Sequence, residues 1–305
     1  DFELQDLRPQ TLTRLYPWMG NIPLGACRGI IKQFEQFCAQ TETNSIASSF
    51  KGKKSRALDT LWTETLVGNL YTFSGLRKLA HCEKTLASLL HDDFDAVVVD
   101  EAQDFDPIML SILLRDCPHA KVFVGDPYQQ IYEWRGSINT FEHLPPTTRH
   151  IEFYSTFRIG DPACQQLSER TGVPMVSASK KSTTILTEPP TQPYVYLFRT
   201  WRCLLETAPT LETVSISDFD RKMDMIRDLH ERLHNGQKVQ AGEFDEDLPA
   251  FLLTLTAESL QTMEKAITDR MRPANEAHVQ MQTIHSFKGM EAPHVRVAKD
   301  VKKTE

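Results

Sequence analysis

The sequence predicts an α/β chain in which a parallel sheet is flanked by helices and preceded by a helical part. Three observations predict it. Val97, Val98 and Val99, flanked by Phe94 and Ala96, form an apolar run without polar alternation, which suits a strand buried on both faces of a parallel sheet. Lys121-Val122-Phe123-Val124 gives a second such strand, and both end in acids, Asp100-Glu101 after the first and Asp126 after the second. Residues 1–90 read mainly as helix, with Ile30, Ile31, Phe34, Phe37 and Cys38 on one helical face.

Leu76, Leu79, Ala80, Leu86 and Leu90 roughly repeat that pattern before the first strand. Between the two stripes, Thr41–Arg56 is polar and ends in Lys51-Gly52-Lys53-Lys54-Ser55-Arg56, which predicts a loop. Its basic residues either clamp a phosphate backbone or are simply solvated. Residues 107–115 predict the helix joining the two strands, a right-handed crossover by default. Thr140–Pro146 turns, Arg149–Tyr154 predicts a short strand presenting Arg158, and Pro162–Thr171 predicts a helix. From Gly172 to Pro193 the Pro, Ser and Thr content rises and periodicity fades, so a hinge is expected there. Tyr194–Thr200 predicts a strand, Asp218–His234 and Pro249–Arg272 helices, and Val279–Ile284 a last strand.

A length of 305 residues with 40% hydrophobic residues suits two domains with real cores. The six cysteines show no Cys-x-x-Cys pair and no metal spacing, so free thiols in a reducing compartment are expected. No apolar stretch is long enough for a membrane helix, which predicts a soluble, intracellular chain without a membrane partner. A net charge of −7 argues mildly against coating nucleic acid, yet a local groove can still grip a strand.

In open α/β sheets, ligands bind beyond the C-terminal ends of the strands, where Asp100 and Glu101 are expected. An acid pair there reads as a magnesium-nucleotide site. One carboxylate holds Mg²⁺ through its water shell and the next orients or deprotonates an attacking water. The other reading is helix capping, because Asp104 and Asp106 stand just before Pro107 and the apolar Ile108-Met109-Leu110.

Asp100-Glu101-Ala102-Gln103-Asp104 and Gly125-Asp126-Pro127-Tyr128-Gln129-Gln130-Ile131-Tyr132-Glu133-Trp134-Arg135-Gly136 resemble motifs II and III of the UvrD/Rep-like superfamily 1 helicases. Two further segments match in the family's order, Thr156-Phe157-Arg158-Ile159-Gly160 and Thr283-Ile284-His285-Ser286-Phe287-Lys288-Gly289-Met290-Glu291. Gly-Asp-Pro before the glutamines, and Phe-Arg-x-Gly after a Thr, are closest to the eukaryotic F-box branch of that family. The resemblance implies RecA-like P-loop NTPase motor domains. Residues 1–90 would be the helical part of the first, with an inserted subdomain. Residues 91–172 would be its core with motifs II, III and IV, and residues 173–305 part of a second motor domain with motif V.

The resemblance also implies roles, with ATP and Mg²⁺ as cofactors. Asp100 would coordinate Mg²⁺, Glu101 would be the catalytic carboxylate, Gln129 would sense the γ-phosphate, and Arg158 would bring it a cation. Glu291 would contact the ribose, with Thr283 and His285 between nucleotide and DNA. Tyr132, Trp134 and Arg135 would touch single-stranded DNA, where stacking of a base on an aromatic ring contributes roughly 1–3 kcal/mol in any sequence. For the two rings a place in the core is the other reading.

Departures from the family pattern are as informative. No Gly-x-x-x-x-Gly-Lys-Ser/Thr occurs in these 305 residues; around Gly52-Lys53, Ala47 stands where the first glycine belongs and Lys54 where the hydroxyl belongs. The family's last motif, an arginine-bearing helix beyond the fourth segment, is missing as well. Met290 replaces the usual Leu, and Ala292-Pro293 departs from the usual apolar continuation. With Asp1 as first residue, these departures predict either a fragment of a longer protein or a degenerate paralogue. The functional expectation is an ATP-dependent DNA helicase motor, nuclear and serving DNA repair or recombination, with protein adaptors engaging regions outside these residues. Its rival is a non-enzymatic DNA- or protein-binding remnant; a metal-dependent phosphohydrolase is a third idea with no further ligand cluster to support it.

Overall fold

The computed structural model describes residues 7, 12, 24–41, 53–84, 94–133, 136–179, 182–237, 245 and 247–301. The chain divides into two compact units, Asp1–Pro146 and Thr147–Glu305. This division falls before the Gly172–Pro193 stretch to which composition assigns a hinge.

Among the described residues the first unit contains the helices α1 (Leu24–Ala39), α2 (Lys53–Leu66) and α3 (Phe73–Glu83). Ile30, Phe34, Phe37 and Cys38 of α1 pack with Leu58, Leu61 and Trp62 of α2 in one apolar cluster, and Phe37 meets Trp62 edge-on at 5.3 Å between ring centroids. Helix α2 begins at Lys53, inside the Thr41–Arg56 stretch expected to be a loop, while residues 42–52, Leu86 and Leu90 lie outside the described residues. Thr72 caps α3 by accepting the Gly75 amide at 3.0 Å, satisfying a donor that a helix start leaves without an intrahelical partner.

Strand β1 (Ala96–Val99) runs parallel to β2 (Ala120–Phe123), with Val99 opposite Phe123. The crossover consists of α4 (Pro107–Ser111) and one π-turn through Asp116. Asp106 caps α4 by accepting the Met109 amide at 2.8 Å, Pro107 occupies the first turn, where no N–H is needed, and Arg77 reaches Asp106 at 2.5 Å. The expectation of strands buried on both faces is corrected here. Val99 is buried, but Val98 is 68% and Val122 50% exposed. Successive side chains point to opposite faces, and among the described residues this sheet has two strands with cover on one face.

A partly buried polar cluster ties α3 to the crossover. His81 Nε2 lies 3.0 Å from Ser111 Oγ and 3.1 Å from Arg115 Nη1. A guanidinium can only donate, so Nε2 is the acceptor and the neutral ring carries its proton on Nδ1. Burial first, then Arg115 and Lys78, hold the His81 pKa below its ordinary value. Arg115 is in turn anchored by both oxygens of Asp116 at 2.5 Å. A histidine whose folded pKa is depressed contributes stability that is complete above its unfolded pKa, about 6.5, and is lost as pH falls through the folded value. The melting temperature should therefore drop on acidification below about pH 6.5, and His81→Gln should flatten that limb. An unchanged acid limb in the variant would remove His81 as its cause.

In the second unit, a short parallel pair, β3 (Ser155–Thr156) and β4 (Val176–Ser177), brackets helix α5 (Asp161–Thr171). The expected strand at Arg149–Tyr154 is thereby shifted, since pairing with the 176–178 segment begins only at Tyr154, whose carbonyl accepts the Val176 amide at 2.8 Å. Ile151 and Phe153 stay exposed and belong to no strand among the described residues.

The main sheet has the order β6-β7-β5-β8, all parallel: β5 (Tyr194–Phe198), β6 (Val214–Ile216), β7 (Val279–Thr283) and β8 (Val295–Val297). Helices α6 (Trp201–Thr207), α7 (Phe219–His234), α8 (Asp247–Leu253) and α9 (Ala257–Thr268) close its core through Phe198, Leu204, Met223, Leu229, Leu252 and Ile267. The single helix expected over Pro249–Arg272 is two. Thr256 accepts the Ser259 amide at 3.1 Å and starts α9 afresh, while Arg270 and Arg272 exchange backbone hydrogen bonds with Val214 instead of extending the helix.

Candidate functional site

Because β1 and β2 are parallel neighbours in register, the residues that follow them emerge on one rim of the first unit. Asp100 and Glu101 leave β1, and Asp126 to Gln129 leave β2. Glu101 has φ 53° and ψ 37°, the left-handed region that costs a residue with a β-carbon of order 1–3 kcal/mol. The turn is held from both sides. Asp100 Oδ1 accepts the Glu101 amide at 2.9 Å, the Ala102 amide donates to the Val124 carbonyl at 3.0 Å, and the Val124 amide donates to Val99 at 2.8 Å. The strained turn is thus fixed to the neighbouring strand.

From the other strand, Asp126 caps a 3₁₀ turn (Pro127–Gln129), accepting the Tyr128 amide at 2.9 Å, and its second oxygen accepts the Gln129 side-chain amide at 2.9 Å. Gln103, fully buried, joins the two segments. Its Nε2 donates to Glu101 Oε2 at 2.5 Å and its Oε1 accepts the Asp126 amide at 3.1 Å. Sequence reading gave Gln103 no role, although an amide two residues from a strand-end carboxylate was a visible signal.

Gly125 explains itself by space. A β-carbon there would stand 2.2 Å from Gln103 Oε1 and 3.1 Å from the Ala102 nitrogen, with neither group able to retreat from its hydrogen bond. Gly125→Ala should destabilise by about 1–3 kcal/mol, the usual scale for overpacking, and lower the melting temperature. An unchanged melting temperature would show that the Gln103 side chain has room to move.

Tyr132 is half-buried, which separates neither reading of its ring. Trp134 and Arg135 lie outside the described residues. Asp100 is exposed, and one exposed carboxylate suits an ion that keeps most of its water shell. Among the described residues, no group of three His, Cys, Asp or Glu side chains could hold a metal ion by itself.

The second unit brings together two more of the expected residues. Arg158 follows β3 and its Nε pairs with Glu291 Oε1 at 2.8 Å, both side chains well exposed. The Arg158 amide donates to Thr156 Oγ1, and Gly160, whose amide donates to Thr183, opens α5. Thr283 ends β7 and caps a one-turn helix, α10 (Ile284–Phe287), by accepting the Ser286 amide; His285 is exposed on that turn. At the same sheet end, Asp300 Oδ2 accepts the amides of Arg199 and Thr200 and the Thr200 hydroxyl at 2.9–3.1 Å, knitting the ends of β5 and β8. Nearby, Asp245 accepts the Trp201 amide and has its pKa raised by burial.

Residues 30–144 match the UvrD/REP helicase N-terminal domain. A stretch of 69 residues is 45% identical to F-box DNA helicase 1 of Gallus gallus, covering 22% of this chain and 6% of that protein. A stretch of 71 residues is 39% identical to F-box DNA helicase protein 1 of Schizosaccharomyces pombe, covering 22% of this chain and 8% of that protein. The chain therefore matches only a small part of the length of these relatives. No described helix is long and apolar enough to cross a membrane. Over residues 30–144 the chain is thus similar to the UvrD/REP helicase N-terminal domain, and over about a fifth of its length to the F-box DNA helicases.

Proposed function

We propose that these residues form part of an ATP-dependent DNA helicase motor that couples ATP hydrolysis to movement along single-stranded DNA and to duplex unwinding. The observation that carries this reading is the shared rim of β1 and β2, which brings the Asp100-Glu101 pair beside the Asp126–Gln129 turn. In this reading Asp100 holds Mg²⁺ through its water shell, and the ion supplies charge neutralisation on the phosphate oxygens. Glu101 orients and deprotonates the attacking water. Gln129 reads the γ-phosphate from the neighbouring strand, and Arg158 stabilises charge on the phosphoryl oxygens. Glu291 recognises the ribose. Tyr132, Trp134, Arg135, Thr283 and His285 face the DNA. A place in nuclear DNA repair or recombination, with adaptors bound elsewhere on the protein, belongs to the same proposal.

The test is DNA-stimulated ATP hydrolysis and strand separation by the full-length protein, abolished in Asp100→Asn. Absence of both activities from wild-type protein would sink the motor reading.

A binding module is favoured by one observation, the lack of a phosphate-cradling Gly-Lys-Ser/Thr loop within these residues. Without such a nest of backbone amides and its lysine, the acids of the rim repel a nucleotide. Residues 1–305 alone should thus show negligible ATPase activity. Turnover by that polypeptide, stimulated by DNA and lost in Glu101→Gln, would reverse this expectation.

A further inference from the structure

We infer that Gln103 is a positioning residue that sets the Glu101 carboxylate against the turn carrying Gln129. Three features carry the inference. Gln103 is fully buried although its amide is among the costlier groups to desolvate, so both ends must be satisfied. They are, and by the two functional segments: Nε2 donates to Glu101 Oε2 at 2.5 Å, and Oε1 accepts the Asp126 amide at 3.1 Å. The side chain has no slack, because Gly125 leaves no space for even one more carbon beside Oε1.

A glutamine amide is one rigid plane, so the position of the Asp126 amide fixes the direction from which Nε2 approaches Glu101. Asp126 Oδ2 holds the Gln129 side chain at 2.9 Å. A shift of Gln129 is therefore transmitted through Asp126 and Gln103 to the carboxylate oxygen, and the reverse. A carboxylate on a left-handed backbone turn has no regular secondary structure to orient it, and Gln103 supplies that orientation.

In relation to hydrolysis the inference rests on the proposed function, and the test separates the two. In the 305-residue chain, the Gln103 side-chain amide should be protected from hydrogen exchange by NMR, and Glu101→Ala should shift its resonance and remove the protection. An amide that exchanges freely in the unaltered chain, or one indifferent to Glu101→Ala, would overturn the inference whatever the protein catalyses. In the full-length protein, Gln103→Met should lower kcat roughly 10–100-fold, as loss of an orienting partner does, with KM for ATP unchanged. Gln103→Glu keeps the acceptor for Asp126 but sets a second carboxyl against Glu101. Like charges at that distance share a proton, so the acid limb of its pH–rate profile should move to higher pH. A merely structural glutamine would leave the profile in place. Wild-type protein without ATPase activity would sink the motor reading and leave the exchange result standing. Active wild-type protein, with both variants at wild-type kcat and pH profile, would overturn the positioning role.

Discussion

Replacing Glu101 by Gln in the full-length protein is expected to lower ATP hydrolysis roughly 10²–10⁴-fold, the usual scale for a general base, while nucleotide binding survives. The substitution keeps the shape of the side chain, and its amide oxygen can still accept from Gln103 Nε2, so the turn should keep its geometry. In the proposed reading, what disappears is the group that takes the proton of the attacking water. Separate measurement of nucleotide affinity and of single-turnover hydrolysis checks this, because only the second should change. A variant with near-normal turnover would reduce Glu101 to an acid at the start of a short helical turn. The left-handed backbone at Glu101 sharpens the comparison. Glu101→Gly should also lose hydrolysis, and because its relief of backbone strain is opposed by loss of the acceptor for the buried Gln103 Nε2, its melting temperature should change far less than its activity.

The rim was legible in the sequence because its signals are local. Two apolar runs that end in acids specify two strands and the side at which their loops emerge, and Asp106-Pro107 specifies where the crossover helix begins. The buried apolar face of α1 was equally legible, as Ile30, Phe34, Phe37 and Cys38 repeat at helical spacing. What could not be read depended on partners distant in sequence. Val98 and Val99 look alike in a run of valines, but only contact with another layer decides that one is buried and the other exposed. Arg149–Tyr154 has the composition of a strand, while strand pairing is settled by where residues 176–178 lie.

The same division applies to the site. Asp100, Glu101, Gln129 and Arg158 are read from short segments, whereas the link made by Gln103 exists only because Asp126 comes to lie beside it. Gly125 is the converse case. Its backbone does not need a left-handed conformation, so turn chemistry offers no reason for a glycine, and the reason appears only when the buried amide of Gln103 is seen against it. Pro249–Arg272 shows a third kind of miss, because helical periodicity continues across Thr254-Leu255-Thr256 while the threonine cap interrupts the backbone.

Replacing Arg158 by Ala should produce the largest single loss in the second unit, roughly 10³–10⁵-fold in hydrolysis by the full-length protein, the scale on which an arginine stabilises a phosphoryl-transfer transition state. Its present partner is Glu291, at 2.8 Å, and both side chains are more than half exposed. An ion pair so exposed is screened by solvent and contributes little to stability, so the melting temperature should stay near that of the unaltered protein. The pair has a further consequence. If Glu291 recognises the ribose and Arg158 the γ-phosphate, a bound nucleotide separates two groups that otherwise neutralise each other, and the two substitutions should differ in kind. Arg158→Ala should lower kcat, since the guanidinium acts on charge that develops in the transition state. Glu291→Gln should raise KM for ATP with a smaller change in kcat, since a ribose contact is made equally before and during the reaction. Arg158→Lys should restore little, because an ammonium cannot span two phosphoryl oxygens as a planar guanidinium does. Steady-state kinetics of the three variants decide the matter: equal losses in Arg158→Ala and Glu291→Gln, accompanied by a lowered melting temperature in both, would make the pair a structural clasp and take Arg158 out of the chemistry.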